Sequence, residues 1–263
     1  MRTPNLQQAK IRFYNNIYKR CVAQAKLGGG FDNYDNGKRI LQNKTELVGY
    51  IALYGGHHYH KLRAAFAARK FGNIQGREVE IIDWGCGQAL ATCVLIDYLI
   101  EQEIDLKFTQ ITLIEPSKLA LKQGSTYIQA MFQNDANAGS IIRCINKDLD
   151  SLKVSDIISD PKRIKLHLFS NILDVNSFDL IKLYKLIVGC YRGSNCFICT
   201  SPFYNGASRI DQFYNLFAQS HVVIEQSIVD KSEQLEGEIF DVIQGRYRLF
   251  PIQRREKQFI VNL

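Results

Sequence analysis

The sequence EIIDWGCGQALA, residues 80–91, places two glycines shortly after an acidic residue and between two apolar runs. Glycine loses more conformational entropy on folding than any other residue, so this pair indicates a turn that side chains would obstruct. The run before it, residues 79–82, predicts a buried strand, and the apolar spacing of residues 90–100 predicts a helix. A strand, a tight glycine turn and a helix in this order are typical of the first part of a nucleotide-binding βαβ unit.

The length of the chain suits one large domain, or one domain with an appendage. Of the 263 residues, 46% are hydrophobic and 22% are charged, which is ordinary for a globular protein. No apolar run approaches the roughly 20 residues that span a bilayer. The N-terminal stretch MRTPNLQQAKIRFYNN also lacks the apolar core of a signal peptide. We therefore expect a cytoplasmic protein without a membrane partner.

The seven cysteines have no regular spacing, which predicts reduced, buried thiols. Cys196 and Cys199 form a CxxC, but within a strand-like run, where side chains at these two positions point to opposite faces. We therefore expect no metal or redox site there.

The positive charge is concentrated in front of the glycine turn. Residues 1–75 contain 13 lysines and arginines against three acids, whereas the remaining 188 residues contain 20 basic and 23 acidic residues. The net charge of +7 therefore arises from the N-terminal part alone. This asymmetry favours an anionic partner such as RNA or DNA, although a solvated helical face that only aids solubility has the same composition.

The N-terminal part has helical periodicity, and the rest of the chain alternates between strands and helices. Helices are predicted over residues 7–26, 44–54 and 57–71, with Gly55–Gly56 separating the last two. The alternation after Gly76 predicts a parallel α/β sheet covered on both faces. Its strands are expected near 79–83, 111–115, 141–145, 164–170 and 194–200, and its helices near 89–102, 117–131, 177–190 and 207–219.

The C-terminal tail has no crossover helix. The stretches HVVIEQSIVD (221–230) and KQFIVNL (257–263) are strand-like, and the polar connection near 229–255 contains GRYRLF (245–250), a further strand or hairpin. Two terminal strands without a helix between them predict an antiparallel pair at that end of the sheet.

The glycine turn does not fit a dinucleotide fingerprint, because Leu90 occupies the position of its third glycine. The pattern that fits is Asp83-x-Gly85-x-Gly87-x-Ala89, in which Ala89 replaces a third glycine. In this motif the sequence resembles class I S-adenosylmethionine-dependent methyltransferases.

The resemblance implies both a fold and a cofactor. The fold is a seven-stranded, mostly parallel Rossmann-like methyltransferase sheet with an antiparallel terminal strand. It would comprise residues 76–263, behind a basic, all-helical N-terminal cap over residues 1–75. The cofactor is S-adenosylmethionine, and the first motif would hold it with Asp83, Gly85, Cys86 and Gly87.

A second acid follows the second predicted strand in ITLIEPSKLAL, residues 111–121. A carboxylate at the end of a strand can accept hydrogen bonds from both hydroxyls of a ribose, because its two oxygens match two adjacent donors. The resemblance assigns this role to Glu115, with Pro116 beside it. The alternative is a carboxylate that caps the following helix.

Two further segments correspond to later motifs of the family. In IIRCINKDLDSL (141–152) the resemblance places an acid on the adenine amino group, with Asp148 as the candidate and Asp150 as the fallback. Either aspartate could instead form a turn. The strand in LHLFSNILDV (166–175) ends at Ser170–Asn171, where the fourth motif faces the cofactor and the acceptor.

The sequence argues against several acceptors without selecting one. Ser170-Asn171-Ile172-Leu173 stands where methyltransferases of exocyclic base nitrogens carry Asn/Asp-Pro-Pro-aromatic, and a Pro-Cys nucleophile for cytosine C5 is missing there too. An activated sulfonium mainly requires an aligned nucleophile, with a general base only for a weakly acidic acceptor.

The histidine-rich segment ALYGGHHYHKLRAAF, residues 52–66, is the candidate for the acceptor side. His57 and His58 diverge by about 100° on a helix and no acid or cysteine lies nearby, so we expect no metal. We expect His58 and Tyr59 at the pocket mouth, with His58 as a general base and the Tyr59 ring facing the sulfonium. Ordinary helix-surface side chains are the alternative.

These patterns together predict S-adenosylmethionine-dependent methyl transfer, with nucleic acid favoured as the acceptor and a small molecule or a protein as alternatives. A second class of function stays open. The chain would then be a non-catalytic, methyltransferase-like subunit that acts through protein partners.

Overall fold

The computed structural model of the protein describes residues 10–25, 34–35, 39–132, 138–203, 205–229 and 235–263. Within these ranges a seven-stranded sheet forms the centre of the molecule, and two further strands pair separately. In chain order the strands are β1 (Glu78–Trp84), β2 (Lys107–Ile114), β3 (Ile142–Ile145), β4 (Ile164–Ser170), β5 (Ser194–Ser201), β6 (Val223–Val229), β7 (Leu235–Asp241), β8 (Arg246–Ile252) and β9 (Arg255–Asn262).

The central sheet has the strand order β3-β2-β1-β4-β5-β9-β6. The pairs β1–β2, β1–β4, β2–β3 and β4–β5 are parallel, whereas β9 is antiparallel to both of its neighbours, β5 and β6. The expected seven-stranded, mostly parallel sheet with an antiparallel terminal strand is therefore confirmed.

Helices precede the sheet and cover its two faces. In chain order they are α1 (Lys19–Gln24), α2 (Lys44–Arg69), α3 (Leu90–Glu101), α4 (Lys118–Met131), α5 (Ala138–Ile141), α6 (Leu180–Cys190) and α7 (Arg209–Ala218). A π-helical turn, Phe13–Tyr18, leads directly into α1. No helix in the described part of the chain is long and apolar enough to cross a membrane.

Each central strand contributes to two cores, because successive side chains of a strand point to opposite faces. Ile81 packs into the core that α3 and α4 complete, and Ile82 packs into the core on the side of α6 and α7. The same alternation separates the two cysteines of the CxxC in β5. Cys196 lies in the first core and Cys199 in the second, and both are free thiols.

Helix α2 runs without interruption for 26 residues, so the predicted break at Gly55–Gly56 is wrong. Both glycines face the fully buried ring of Tyr18. A Cβ at Gly55 would lie 3.0 Å from Tyr18 Cδ2, and one at Gly56 would lie 2.7 Å from the Tyr18 hydroxyl. The pair therefore forms a notch for a tyrosine ring, and tertiary packing outweighs the low helix propensity of glycine.

The predicted strand or hairpin near residues 245–250 is β8, which pairs with β7 in a two-stranded antiparallel sheet. Two tyrosine hydroxyls attach this hairpin to the N-terminal helices. The Tyr14 hydroxyl donates to the carbonyl oxygen of Glu238 over 2.5 Å, and the Tyr18 hydroxyl accepts from the N–H of Phe240 over 3.0 Å. The hairpin thus holds the same tyrosine that fills the glycine notch of α2.

The glycine notch can be tested with a matched control. An added methyl group at Gly56 would lie 2.7 Å from the Tyr18 hydroxyl and 2.9 Å from Ile239 Cγ2, and overpacking of this kind costs about 1–3 kcal/mol. Gly189 lies inside α6 and has no described atom within 4 Å of an added Cβ. Gly189→Ala should therefore stabilise the protein by up to about 1 kcal/mol through helix propensity. We expect urea titrations to show a lower free energy of unfolding for Gly56→Ala only, and equal effects of both substitutions would contradict the notch.

Candidate functional site

A pocket opens at the carboxyl ends of β1, β2 and β4. Its walls are the glycine turn after β1, the residues that follow β2 and β4, and one face of α2. The segment before α2, residues 39–41, borders it as well. Open α/β sheets bind ligands in the crevice outside the carboxyl ends of their strands. This pocket is therefore the candidate functional site.

Two side chains beside the pocket hold the N-terminal segment in place. The Ser117 hydroxyl donates to the carbonyl oxygen of Leu41 over 3.1 Å, and the Gln88 side-chain amide donates to the carbonyl oxygen of Leu47 over 2.9 Å. Nothing in the sequence indicates these contacts, because each joins segments that are far apart along the chain.

The glycine turn has a left-handed backbone at alternate positions. The φ angles of Gly85, Gly87 and Ala89 are +60°, +52° and +55°. A Cβ at Gly85 would lie 2.7 Å from the side chain of Ile172, whereas a Cβ at Gly87 would meet no described atom within 4 Å. Gly87 therefore faces open pocket space. Ala89 adopts this conformation at a cost of roughly 1–2 kcal/mol, so the third motif position keeps the backbone geometry of a glycine.

Asp83 anchors the turn to the helix that follows it. Its Oδ2 atom accepts from the Thr92 N–H over 3.2 Å and from the Thr92 hydroxyl over 2.7 Å. The residue is 1% exposed and borders the pocket. Burial raises the pKa of Asp83 to about 7, although the two Thr92 hydrogen bonds oppose this shift.

Glu115 connects the ends of β1 and β2. Its Oε2 atom accepts from the Gly87 N–H over 3.0 Å, and its Oε1 atom accepts from the Ser117 N–H over 2.9 Å. The N-cap of α4 is Ser117, so Glu115 does not occupy the capping position that was its alternative role. Burial raises the pKa of Glu115, and the two N–H donors oppose that shift. Pro116 borders the pocket next to it.

The two candidate aspartates after β3 have different surroundings. Asp148 borders the pocket and also caps a 3₁₀ turn, since its Oδ1 atom accepts from the Ser151 N–H over 2.8 Å. The Ser151 hydrogen bonds lower the pKa of Asp148. Asp150 instead accepts from the Asp179 N–H over 3.0 Å, at the start of α6. Of the two, only Asp148 lines the candidate site.

Ser170 is the last residue of β4 and Asn171 follows it, and both border the pocket. Asn171 has a φ of +55°, and its N–H donates to the carbonyl oxygen of Thr200 over 2.9 Å. Its side chain meets helix α2 twice. Lys61 Nζ donates to Asn171 Oδ1, and His58 Nε2 interacts with Asn171 Nδ2. Because the amide oxygen faces the lysine, Nδ2 is the donor and His58 Nε2 the acceptor.

Lys61 contacts the pocket residue Asn171, and nothing in the sequence indicates this contact. It is 3% exposed, and burial lowers the pKa of its amine to about 7, with the charge of Asp174 acting in the opposite direction. His58, one helical turn earlier, lines the pocket, and burial keeps its pKa well below the ordinary value, with Lys61 adding to the shift. His58 is therefore neutral near pH 7, whereas Lys61 is close to its midpoint between amine and ammonium there.

Tyr59 does not lie at the pocket mouth, so that prediction is wrong. Its ring stands 4.7 Å from the ring of Tyr14 and 6.3 Å from that of Phe13, with the Arg63 guanidinium 5.4 Å from its centroid. One residue step on a helix turns a side chain by about 100°, so His58 and Tyr59 cannot share the pocket face. The aromatic residue of α2 that lines the pocket is Tyr50, two turns before His58.

The histidines of α2 face different parts of the structure. Within the described ranges, no three His, Cys, Asp or Glu side chains are grouped in a way that could hold a metal ion. His60 faces the hairpin, where its Nε2 atom lies 3.0 Å from the carbonyl oxygen of Glu238.

Comparison with known proteins yields similar folds at low sequence identity. No family model and no curated protein sequence matches the chain. The plantazolicin methyltransferase BpumL, solved with SAH, has 12% identity and a TM-score of 0.46, with 95% of this chain and 93% of that chain covered. A precorrin 8w decarboxylase of Methanobacterium thermoautotrophicum has 11% identity and a TM-score of 0.47, with 77% and 89% covered. A geranyl diphosphate methyltransferase, solved with SAM, has 9% identity and a TM-score of 0.45, with 89% and 96% covered. These likenesses concern the fold alone.

The buried Asp83 makes stability depend on pH. Because its folded pKa of about 7 lies above the unfolded value of about 3.9, its contribution to stability is full below pH 4 and is lost as the pH rises through 7. Asp83→Asn keeps an oxygen for Thr92 and cannot ionise. We expect its free energy of unfolding to fall less between pH 5 and 8 than that of the wild type, by on the order of 2 kcal/mol. Asp148→Asn is the control, since the pKa of Asp148 is lowered, and an unchanged pH profile for Asp83→Asn would contradict the assignment.

Proposed function

We propose that the chain binds S-adenosylmethionine in this pocket and transfers its methyl group to a nitrogen or oxygen atom of an acceptor. The observation that supports this best is the position of Glu115. Its carboxylate is held by the main-chain N–H of Gly87, at the carboxyl edge of two adjacent strands in a methyltransferase-type sheet. A diol-binding acid beside an open glycine turn suits the ribose and the amino-acid part of this cofactor.

The residues around the turn have the capacity to hold the cofactor. Each Glu115 oxygen accepts one N–H and retains a lone pair that can accept a ribose hydroxyl. Gly87 leaves space beside the backbone, since no described atom occupies the region around its missing side chain. We propose that Asp148 accepts from the adenine amino group and that Pro116 borders the adenosine.

The acceptor side requires alignment more than acid–base chemistry. The sulfonium of the cofactor supplies an activated methyl group, so the chain has to orient the nucleophile and exclude water. Asn171 Oδ1 has two lone pairs, of which Lys61 uses one, and the second can accept an N–H or O–H of the acceptor. His58 Nε2 already accepts from Asn171. We therefore propose that His58 fixes the orientation of Asn171, in place of the general-base role expected from the sequence.

For the acceptor we propose RNA or DNA, supported by the basic composition of residues 1–75. The structure reduces the surface charge that the sequence alone implies. Lys61 and Arg69 are buried, and Arg39 and Arg63 form ion pairs with acidic side chains. Among the described residues of this part, the exposed Lys10, Arg20, Lys44 and Lys70 are therefore the candidates for phosphate contacts.

The cofactor assignment can be tested by titration calorimetry with S-adenosylmethionine and S-adenosylhomocysteine. Glu115→Ala removes both ribose acceptors, so we expect affinity for both ligands to fall about 10- to 100-fold. Asp148→Asn should weaken binding, whereas Asp150→Asn, on the side of α6, should not. Unchanged affinity in Glu115→Ala would overturn the cofactor site, and a preference for NAD would favour a dehydrogenase. Tight cofactor binding without transfer to any acceptor would support the non-catalytic alternative.

The acceptor class can be tested through the salt dependence of RNA and DNA binding. Changing Lys10, Arg20, Lys44 and Lys70 together to Gln removes phosphate contacts, so log K against log salt should become less steep by up to about 3. The control changes an equal number of exposed lysines elsewhere, namely Lys118, Lys122, Lys162 and Lys182. No binding of the wild type at low salt, or equal loss in both variants, would favour a small-molecule or protein acceptor.

A further inference from the structure

The buried Lys61 amine has an unusual set of neighbours. Its Nζ atom donates to the amide oxygen of Asn171, and none of the ion pairs within 4.0 Å among the described residues includes it. A buried ammonium that lacks a carboxylate in contact is costly, because its hydration is not replaced by an opposite charge. The site therefore favours a neutral amine unless a nearby negative charge compensates.

The titratable groups around Lys61 come from several elements. On α2 itself, His57 and His58 face it, and burial together with the Lys61 charge lowers the pKa of both. After β4, Asp174 is the carboxylate whose charge favours the ammonium form. Across the pocket, Asp83 and Glu115 border the same space as Asn171. These groups leave the Lys61 amine balanced near pH 7.

Asn171 connects Lys61 to the pocket. Its side chain lies between the lysine and the pocket, and it borders the pocket together with His58. Two positive charges that lie close together in a medium of low dielectric constant repel each other strongly. A sulfonium in the pocket and an ammonium at Lys61 are therefore poorly compatible.

We propose that Lys61 balances the charge of the cofactor, as a neutral amine while S-adenosylmethionine occupies the pocket and as an ammonium while S-adenosylhomocysteine occupies it. This inference rests on the proposed function. A neutral amine still donates N–H to Asn171 Oδ1, so the amide keeps its orientation in both states. Lys61 is thus a positioning residue whose charge follows that of the sulfur atom.

The proton balance of the reaction follows from this assignment. A bound S-adenosylmethionine would supply the methyl group: its carbon–sulfur bond would break to leave a neutral thioether, and the methyl group would bond to a neutral N–H or O–H acceptor. The acceptor then releases one proton, and the neutral Lys61 amine takes up one proton to become an ammonium. The positive charge lost at sulfur reappears at Lys61, so the net charge of the pocket is unchanged across the transfer.

The test needs only the two forms of the cofactor as probes. Calorimetric titrations between pH 5.5 and 8.5, in buffers of different ionisation enthalpy, give affinities and the protons exchanged on binding. Below pH 7 we expect S-adenosylmethionine to release a proton that S-adenosylhomocysteine does not release. The ratio of the two affinities should shift towards S-adenosylmethionine by roughly tenfold as the pH rises. Lys61→Met should remove both effects, and Lys122→Met, at an exposed lysine of α4, should leave them unchanged.

The possible results separate this inference from the proposed function. If the wild type binds both ligands with identical proton exchange, the role proposed for Lys61 is wrong and the cofactor site still stands. This result needs no variant. An affinity ratio that still changes with pH in Lys61→Met would assign the effect to Asp83 or Glu115. If neither ligand binds the wild type, the proposed function itself is wrong. Lys61→Gln serves as a second variant if Lys61→Met does not fold.

Discussion

The left-handed backbone of the turn after β1 is the constraint on which the rest of the site depends. Positive φ angles at Gly85, Gly87 and Ala89 let the chain pass from the strand into α3 within a few residues. The same conformation directs the Gly87 N–H to Glu115, which ties the end of β1 to the end of β2. Asp83 fixes the start of α3, because it accepts two hydrogen bonds from Thr92. The pocket is therefore defined first by backbone geometry and only then by side-chain chemistry.

The parts of the fold that could be predicted from the sequence are those with a local cause. The glycine turn can be recognised from only twelve residues, 80–91, because an apolar strand precedes it and an apolar helix follows it. Glu115 could be located in the same way, because it ends an apolar strand and precedes a helix. The antiparallel position of β9 also followed from a local feature, the lack of a crossover helix before it.

The features that could not be predicted depend on contacts between distant segments. Gly55 and Gly56 have a low helix propensity, yet the Tyr18 ring that fills their notch lies on another helix. Tyr59 and His58 differ by one residue step, and which of them faces the pocket depends on how α2 is rotated against the sheet. From the sequence, Lys61 is one of the basic residues expected at the N-terminal surface. It is buried because α2 packs over Asn171. Charge composition alone therefore overstates how basic the N-terminal surface is.

Because α2 is one continuous helix, the contacts made at different points along it fix its position together. Tyr50, before the glycine pair, and His58, after it, line the pocket, whereas His60 contacts the β7–β8 hairpin at Glu238. Towards its end, the Ala65 carbonyl oxygen accepts from Gln258 of β9 over 2.7 Å. An unbroken helix transmits the constraints at its far end to its beginning, because its backbone hydrogen bonds run without a gap. Tyr50, which lies before the glycine pair, is therefore held in the pocket wall by strands that contact α2 after the pair, and a break at the pair would have prevented this.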